Sequence, residues 1–191
     1  MNLLGLGLYA ADHDEDALSV QEAELAMLRR IGASEKHILV VQGNLAGTYQ
    51  GLGRLEEAMQ LKREVYSGCS KFYGEEHEKT LIAANNYAVT LIALRRFEDV
   101  KSLLRKMIPV ARRILGESHE LTLRMRWAYA DALGSARATR DDLREAVSTL
   151  EETGRTARRV LGGAHPLTAA IEETLRDALS RPQIAAAVGR V

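Results

Sequence analysis

The sequence predicts an all-α fold, an α-solenoid built from antiparallel helical hairpins. Three observations carry this. First, a long segment returns at a fixed offset: NLAGTYQGLGRLEEAMQLKREVYSGCSKFYG, from Asn44 to Gly74, is answered by NYAVTLIALRRFEDVKSLLRKMIPVARRILG, from Asn86 to Gly116. Asn86 follows Asn44, and Gly116 follows Gly74, by the same 42 residues. A fixed period in this range marks a repeat array. Second, Ala, Leu, Glu and Arg are plentiful while Pro is only 3 and aromatics 5%, a composition of helix formers. Third, a linker recurs: Gly74, His77 and Thr80 reappear as Gly116, His119 and Thr122, and again as Gly162, His165 and Thr168.

Residues 1–11 read as the remnant of a first helix, residues 12–14 as a turn, and residues 15–31 as its partner helix. Ala17, Leu18, Ala23 or Leu25, and Leu28 give that partner an apolar stripe. Gly32 suits the left-handed residue that closes a helix, and Arg29 and Arg30 sit where cations favour the dipole. The linker after Gly32 departs from the pattern, because His37 follows it by five residues rather than three. The second hairpin is predicted over 38–52 and 55–73, turning at Gly53-Arg54 and closed by Gly74. The third covers 81–94 and 97–115, closed by Gly116. The fourth covers 121 to about 135 and 141–161, closed by Gly162. Ala130 lies 42 residues after Ala88, but Leu143 lies 46 after Phe97, so four residues are inserted before Asp141, a suitable N-cap. A last helix over 167 to about 179 lacks a full partner and breaks at Ser180-Arg181-Pro182. A lone final helix is the usual cap of a repeat stack. The chain therefore reads as one helical-repeat domain over 1–180, with repeats at about 1–36, 37–79, 80–121 and 122–167, a capping helix at 168–180 and a frayed tail at 181–191.

Lys plus Arg and Asp plus Glu both number 26, so the net charge is zero, which argues against nucleic acid or an anionic membrane as the main partner. The single cysteine, Cys69, excludes an internal disulfide framework and fits a reducing compartment. The apolar start lacks a basic region and meets Asp12, Asp14 and Asp16, unlike a signal peptide. No stretch approaches the roughly 18–20 apolar residues of a membrane span. A cytoplasmic protein is expected.

Asn44, Leu45, Ala46, Tyr49, Leu52, Gly53, Arg54, Glu56, Glu57 and Ala58 resemble the tetratricopeptide repeat. The 42-residue period and the Gly-x-x-His-x-x-Thr linker resemble its longer, kinesin light chain-like variant. The resemblance covers essentially the whole chain and is strongest in the second and third repeats. It implies a right-handed superhelix that serves as an adaptable binding scaffold. No segment resembles the heptad region by which a kinesin light chain joins its motor. The repeat requires small residues where paired helices approach: Ala46, Ala88 and Ala130 from first helices, Ala58 and Ala146 from second helices, with Val100 in that place in the third repeat.

Recurring histidines invite a metal site, but His77, His119 and His165 belong to different linkers, spaced by roughly one helix layer of 10 Å, whereas zinc ligands converge to about 2 Å from one point. They read as linker residues that hydrogen-bond to hold each turn. Cys69 reads as a core or half-buried thiol, with no base to activate it. Gly5-Leu6-Gly7 lacks the third glycine and the strand of a phosphate loop. Pairs such as Glu56-Glu57 and Glu151-Glu152 read as solvated faces and dipole partners. No catalytic residue, cofactor or metal is assigned.

The resemblance implies that first helices line a concave groove. Its positions are Val40, Gly43, Asn44, Gly47 and Gln50, then Ile82, Asn85, Asn86, Val89 and Ile92, then Arg124, Trp127, Ala128 and Asp131. Asn44 and Asn86 match positions where the family uses Asn to hold a peptide backbone, and an amide can donate and accept at once. Arg124 could pair with a carboxylate, and Trp127 could offer a large apolar contact. Against this stands a structural reading, with the asparagines serving neighbouring backbone and Trp127 in the core. The expected function is a non-catalytic scaffold binding a peptide or partner segment; the alternative is a truncated regulatory or assembly segment of a larger protein.

Overall fold

The computed structural model describes residues 14–135 and 138–181. The helix remnant expected over 1–11, with Gly5 and Gly7, and the tail beyond Arg181 lie outside them. The described residues form eight helices: α1 Asp14–Arg30, α2 Glu35–Gly51, α3 Leu55–Tyr73, α4 Glu78–Ala93, α5 Phe97–Leu115, α6 Glu120–Leu133, α7 Arg140–Leu161 and α8 Pro166–Ser180. Among them no helix is long and apolar enough to cross a membrane.

Helices α3 and α5 occupy the residues predicted for them. Helices α2 and α4 begin three residues earlier than predicted, at Glu35 and Glu78. Their first turns, Glu35-Lys36-His37 and Glu78-Lys79-Thr80, carry little apolar periodicity, so the pattern became visible a turn too late. The linker histidines explain where the first helices start. His77, His119 and His165 are the N-caps of α4, α6 and α8, on extended backbone, and each ring Nδ1 accepts the N–H two residues on, at 3.1, 3.2 and 3.2 Å. Each cap satisfies a donor the helix cannot pair internally. In the first linker Ser34 takes the N-cap position instead, and His37 lies inside α2.

Gly32 has φ +64°, as expected of a left-handed closing residue. Gly74, Gly116 and Gly162 differ: φ is 90°, 94° and 88°, with ψ 162°, 161° and 158°. That extended mirror region is essentially open only to glycine. Thr80 Oγ1 ties the first of these linkers by donating to the Gly74 carbonyl at 2.7 Å. The cap of α7 corrects the expected Asp141: Thr139 is the N-cap, its hydroxyl accepting the Asp142 N–H at 3.1 Å while the Asp142 carboxylate accepts the Thr139 N–H at 3.0 Å. This is a reciprocal capping box.

The chain divides into two compact units, Met1–Leu94 and Arg95–Val191. In the first, α1, α2, α3 and α4 pack in succession. Leu18, Leu25, Leu28, Val41 and Leu45 form one core cluster, and Leu39, Cys69 and Ala83 another. Ala46, Ala58 and Ala88 are fully buried where the helices approach. In the second unit α5, α6, α7 and α8 pack in succession. Leu123, Ala130, Leu150, Ala157, Leu167 and Ile171 form its main cluster, and Val100 and Ala146 are buried at the small positions.

Candidate peptide-binding faces

In the first unit the predicted positions fall on one stripe of α2 and one of α4. Val40, Ile82 and Val89 are 49%, 42% and 43% exposed, large apolar side chains left in water. Gly43 is exposed and Gly47 half-buried, and a Cβ added at either would meet nothing within 4 Å among the described residues. Asn86 is exposed and Asn44 half-buried. Asn85 is buried, and its Oδ1 has no partner among the described residues. Ile92 is half-buried.

Gln50 is half-buried and tied to its neighbours. Its Oε1 accepts from Lys62 Nζ of α3, and the same ammonium donates to Thr90 Oγ1 of α4 at 2.8 Å. Thr90 Oγ1 lies 3.3 Å from both Gln50 Oε1 and the Asn86 carbonyl, acceptors for its single proton. Three helices are pinned at this point. Burial pushes the Lys62 ammonium below its ordinary pKa, because a charge partly removed from water is disfavoured. The same kind of pin occurs one repeat earlier, where Thr48 Oγ1 of α2 donates to Gln21 Oε1 of α1 at 2.8 Å. Sequence reasoning missed both. The signal was present: Thr48 and Thr90 occupy equivalent positions 42 residues apart, and polar Lys62 interrupts the apolar side of α3.

In the second unit Arg124 is exposed but already engaged, its Nε and Nη2 donating to Glu120 Oε1 at 2.9 and 2.6 Å. The i,i+4 spacing of the pair made this contact legible in the sequence. The bond holds the Glu120 carboxyl below its ordinary pKa. Trp127 is half-buried, packs against the main core cluster, and donates its indole N–H to Thr174 Oγ1 of α8 at 3.0 Å. The structure thus places the ring against the last helix. Ala128 is buried. Asp131 is exposed as a residue, but partial desolvation of its carboxyl raises the pKa and the nearby Arg181 opposes the rise.

The other groups of chemical interest are structural in placement. The three linker histidines each cap a different helix. Cys69 is buried, which raises its thiol pKa against a smaller effect of Lys79. A surface cleft of about 450 Å³ between α2 and α3 is lined by Leu39, Gln42, Glu64 and Gly68, on the side of α2 away from Val40 and Gly47. There Gln42 Nε2 donates to Glu64 Oε2 at 2.8 Å.

Successive, capped, glycine-closed hairpins with small residues at their crossings define a helical-repeat protein. Residues 37–113 match the model of the tetratricopeptide repeat. Comparison with curated protein sequences finds no match. Among solved structures, the chain is similar to two crystal structures of a Podosopora anserina protein described as a kinesin light chain with nearly identical TPR-like repeats. One, a single-substitution variant, is 21% identical with a TM-score of 0.79, and the other 22% identical with 0.77; each match covers 99% of this chain and 90% of that one. It is also similar to BtubC (BKLC) of P. vanneervenii, 16% identical, TM-score 0.78, covering 98% of this chain and 72% of that one. The match over residues 37–113 is to the tetratricopeptide repeat, and the chain shares the all-α helical-repeat solenoid fold of these structures. Tetratricopeptide repeats generally mediate protein–protein interaction.

Proposed function

We propose that the protein is a non-catalytic interaction scaffold that binds a peptide or partner segment along the exposed faces of its first helices. The observation that supports this best is the pair of stripes, one on α2 with exposed Val40 beside Asn44 and one on α4 with exposed Ile82 and Val89 beside Asn86. Apolar side chains exposed together on one face are what an interaction site presents. The amides beside them can donate to and accept from an extended backbone. The second unit, taken by itself, offers Arg124 of α6, which would have to exchange Glu120 for a ligand carboxylate. The test is binding to a peptide array by the wild type and by Asn44→Ala, Asn86→Ala and Arg124→Glu. Loss of signal in the asparagine variants is the expected result. Wild-type binding by all three variants sinks the assignment of these faces.

A further inference from the structure

The first unit carries a clue to the chemistry of what it binds. Helix α2 has no charged residue from Ile38 to Gly51, and α4 has none from Thr80 to Ala93, in a chain of which 27% is charged. A helix without a charged face is ordinarily buried on all sides. These two are not, since Val40, Ile82 and Val89 remain 49%, 42% and 43% exposed. Charge approaches the face at the Lys62 pin, and there the ammonium is taken up by Gln50 and Thr90. Helix α6 is built otherwise, with Arg124 and Asp131 both exposed.

We propose that the α2–α4 face receives an uncharged, aliphatic stretch of a partner protein in extended form. Its side chains cover Val40, Ile82 and Val89, and its backbone meets the Asn86 amide. This rests on the reading of these helices as a binding face and adds the class of ligand. The selectivity works by exclusion. A charged side chain pressed onto the exposed stretches of α2 and α4 loses water and finds no opposite charge on either helix there, with the Lys62 ammonium already hydrogen-bonded to Gln50 and Thr90, so it is rejected. Without ion pairs to screen, binding is insensitive to salt.

The probe is an array of short fluorescein-labelled peptides rich in Val, Ile and Asn, each paired with copies carrying one central Asp or Lys, read by fluorescence polarisation on the full chain. The expected result is binding of neutral peptides, weakened about tenfold or more by either charge and unchanged between low and high salt. In the protein, Val89→Asp should weaken neutral peptides about tenfold, with the helical circular dichroism retained because the position is exposed, while exposed Ser148→Asp on α7 should leave them unaffected. Tighter binding of the Asp copies, lost again in Lys62→Met, overturns the uncharged class while leaving the face as the site. Peptide binding that Val89→Asp does not alter overturns the face itself, and no binding by any peptide overturns both.

Discussion

Replacing Gly116 with Ala tests the linker reasoning with the smallest change available. Gly116 has φ 94° and ψ 161°, and a Cβ built there meets no atom of the described residues within 4 Å. Sterics with neighbours therefore contribute nothing, and the effect is that of the backbone alone. Holding an L-residue in this region costs about 1–3 kcal/mol. Loss of glycine's freedom in the unfolded chain returns about 0.4–1 kcal/mol. The net is a destabilisation of about 1–2 kcal/mol, and strain passed to the His119 cap, whose Nδ1 holds the Leu121 N–H at 3.2 Å, would add to it. At about 2–4 °C per kcal/mol for a chain of this size, Tm should fall by roughly 2–8 °C. Gly43→Ala is the matching control. It makes the same chemical change in the middle of α2, where a Cβ also meets nothing within 4 Å. Alanine there should stabilise by about 0.5–1 kcal/mol. Urea and thermal unfolding of the two variants should thus shift in opposite directions. If Gly116→Ala is neutral, or shifts the same way as Gly43→Ala, the linker does not depend on its glycine conformation and the reasoning is refuted.

Three further outcomes follow from the same geometry. His119→Ala should destabilise by about 1 kcal/mol in urea, and His119→Asn, which keeps an acceptor at the N-cap of α6, should restore most of the loss; equal losses would show that the imidazole acts by packing instead. Asp142 has its pKa lowered below the ordinary 3.8, first by the Thr139 N–H and then by the Thr139 hydroxyl, so its contribution is complete above that ordinary value and is lost as pH falls through the depressed one. The stability gap between wild type and Asp142→Asn should therefore close as urea titrations are carried from neutral pH into strong acid. Arg95, with φ 56°, stands 42 residues after Gly53 and holds the same turn position without being glycine; Arg95→Gly should relieve left-handed strain of about 1 kcal/mol and leave stability level or raised once unfolded-state entropy is counted, whereas a clear loss would mean the Arg95 side chain contributes contacts of its own.

The fold was legible because the repeat compares the chain with itself. Aligning Ala46, Ala88 and Ala130 picked out positions now 0%, 0% and 1% exposed without any knowledge of their neighbours. The start of α2 was hidden because the first turn after Ser34, Glu35-Lys36-His37, carries no apolar pattern, and that of α4 because its cap is a histidine, a residue that propensity rules do not rank among caps. Its role shows only in three dimensions, where Nδ1 faces the N–H two residues on. The end of the inserted loop was misjudged by two residues for a related reason. Asp141 looks like a cap, but Thr139 with Asp142 satisfies two donors where Asp141 alone could satisfy one. At the candidate faces the illegible part is long-range. Lys62 reaches Thr90 across 28 residues, and Trp127 reaches Thr174 across 47. Neither pairing follows from a helical period, which says which side of its own helix a residue occupies and nothing of which side chain on another helix it meets.

The glycines of α2 sharpen the functional reading more than any polar residue does. Among the described residues neither backbone nor packing asks for glycine at Gly43 or Gly47: both lie in regular helix, and no described atom comes within 4 Å of a Cβ built at either. The contrast within the same unit is Gly68 of α3, where an added Cβ would overlap Leu39 Cδ2 and the Leu39 side chain would have to shift. Gly68 is explained by the fold, while Gly43 and Gly47 each weaken it by about 0.5–1 kcal/mol relative to Ala. What glycine provides at an exposed helical position is a low surface, on which another backbone can lie close to the helix. Beside it, Val40, Ile82 and Val89 stand up from the same face. A partner strand seated over the glycines would bring its own carbonyl and amide groups to the level of Asn86 and would turn those three side chains from exposed to buried. Stability conceded along α2 is then recovered only in the complex, so alanine at Gly43 or Gly47 should make the free protein more stable and the bound one weaker.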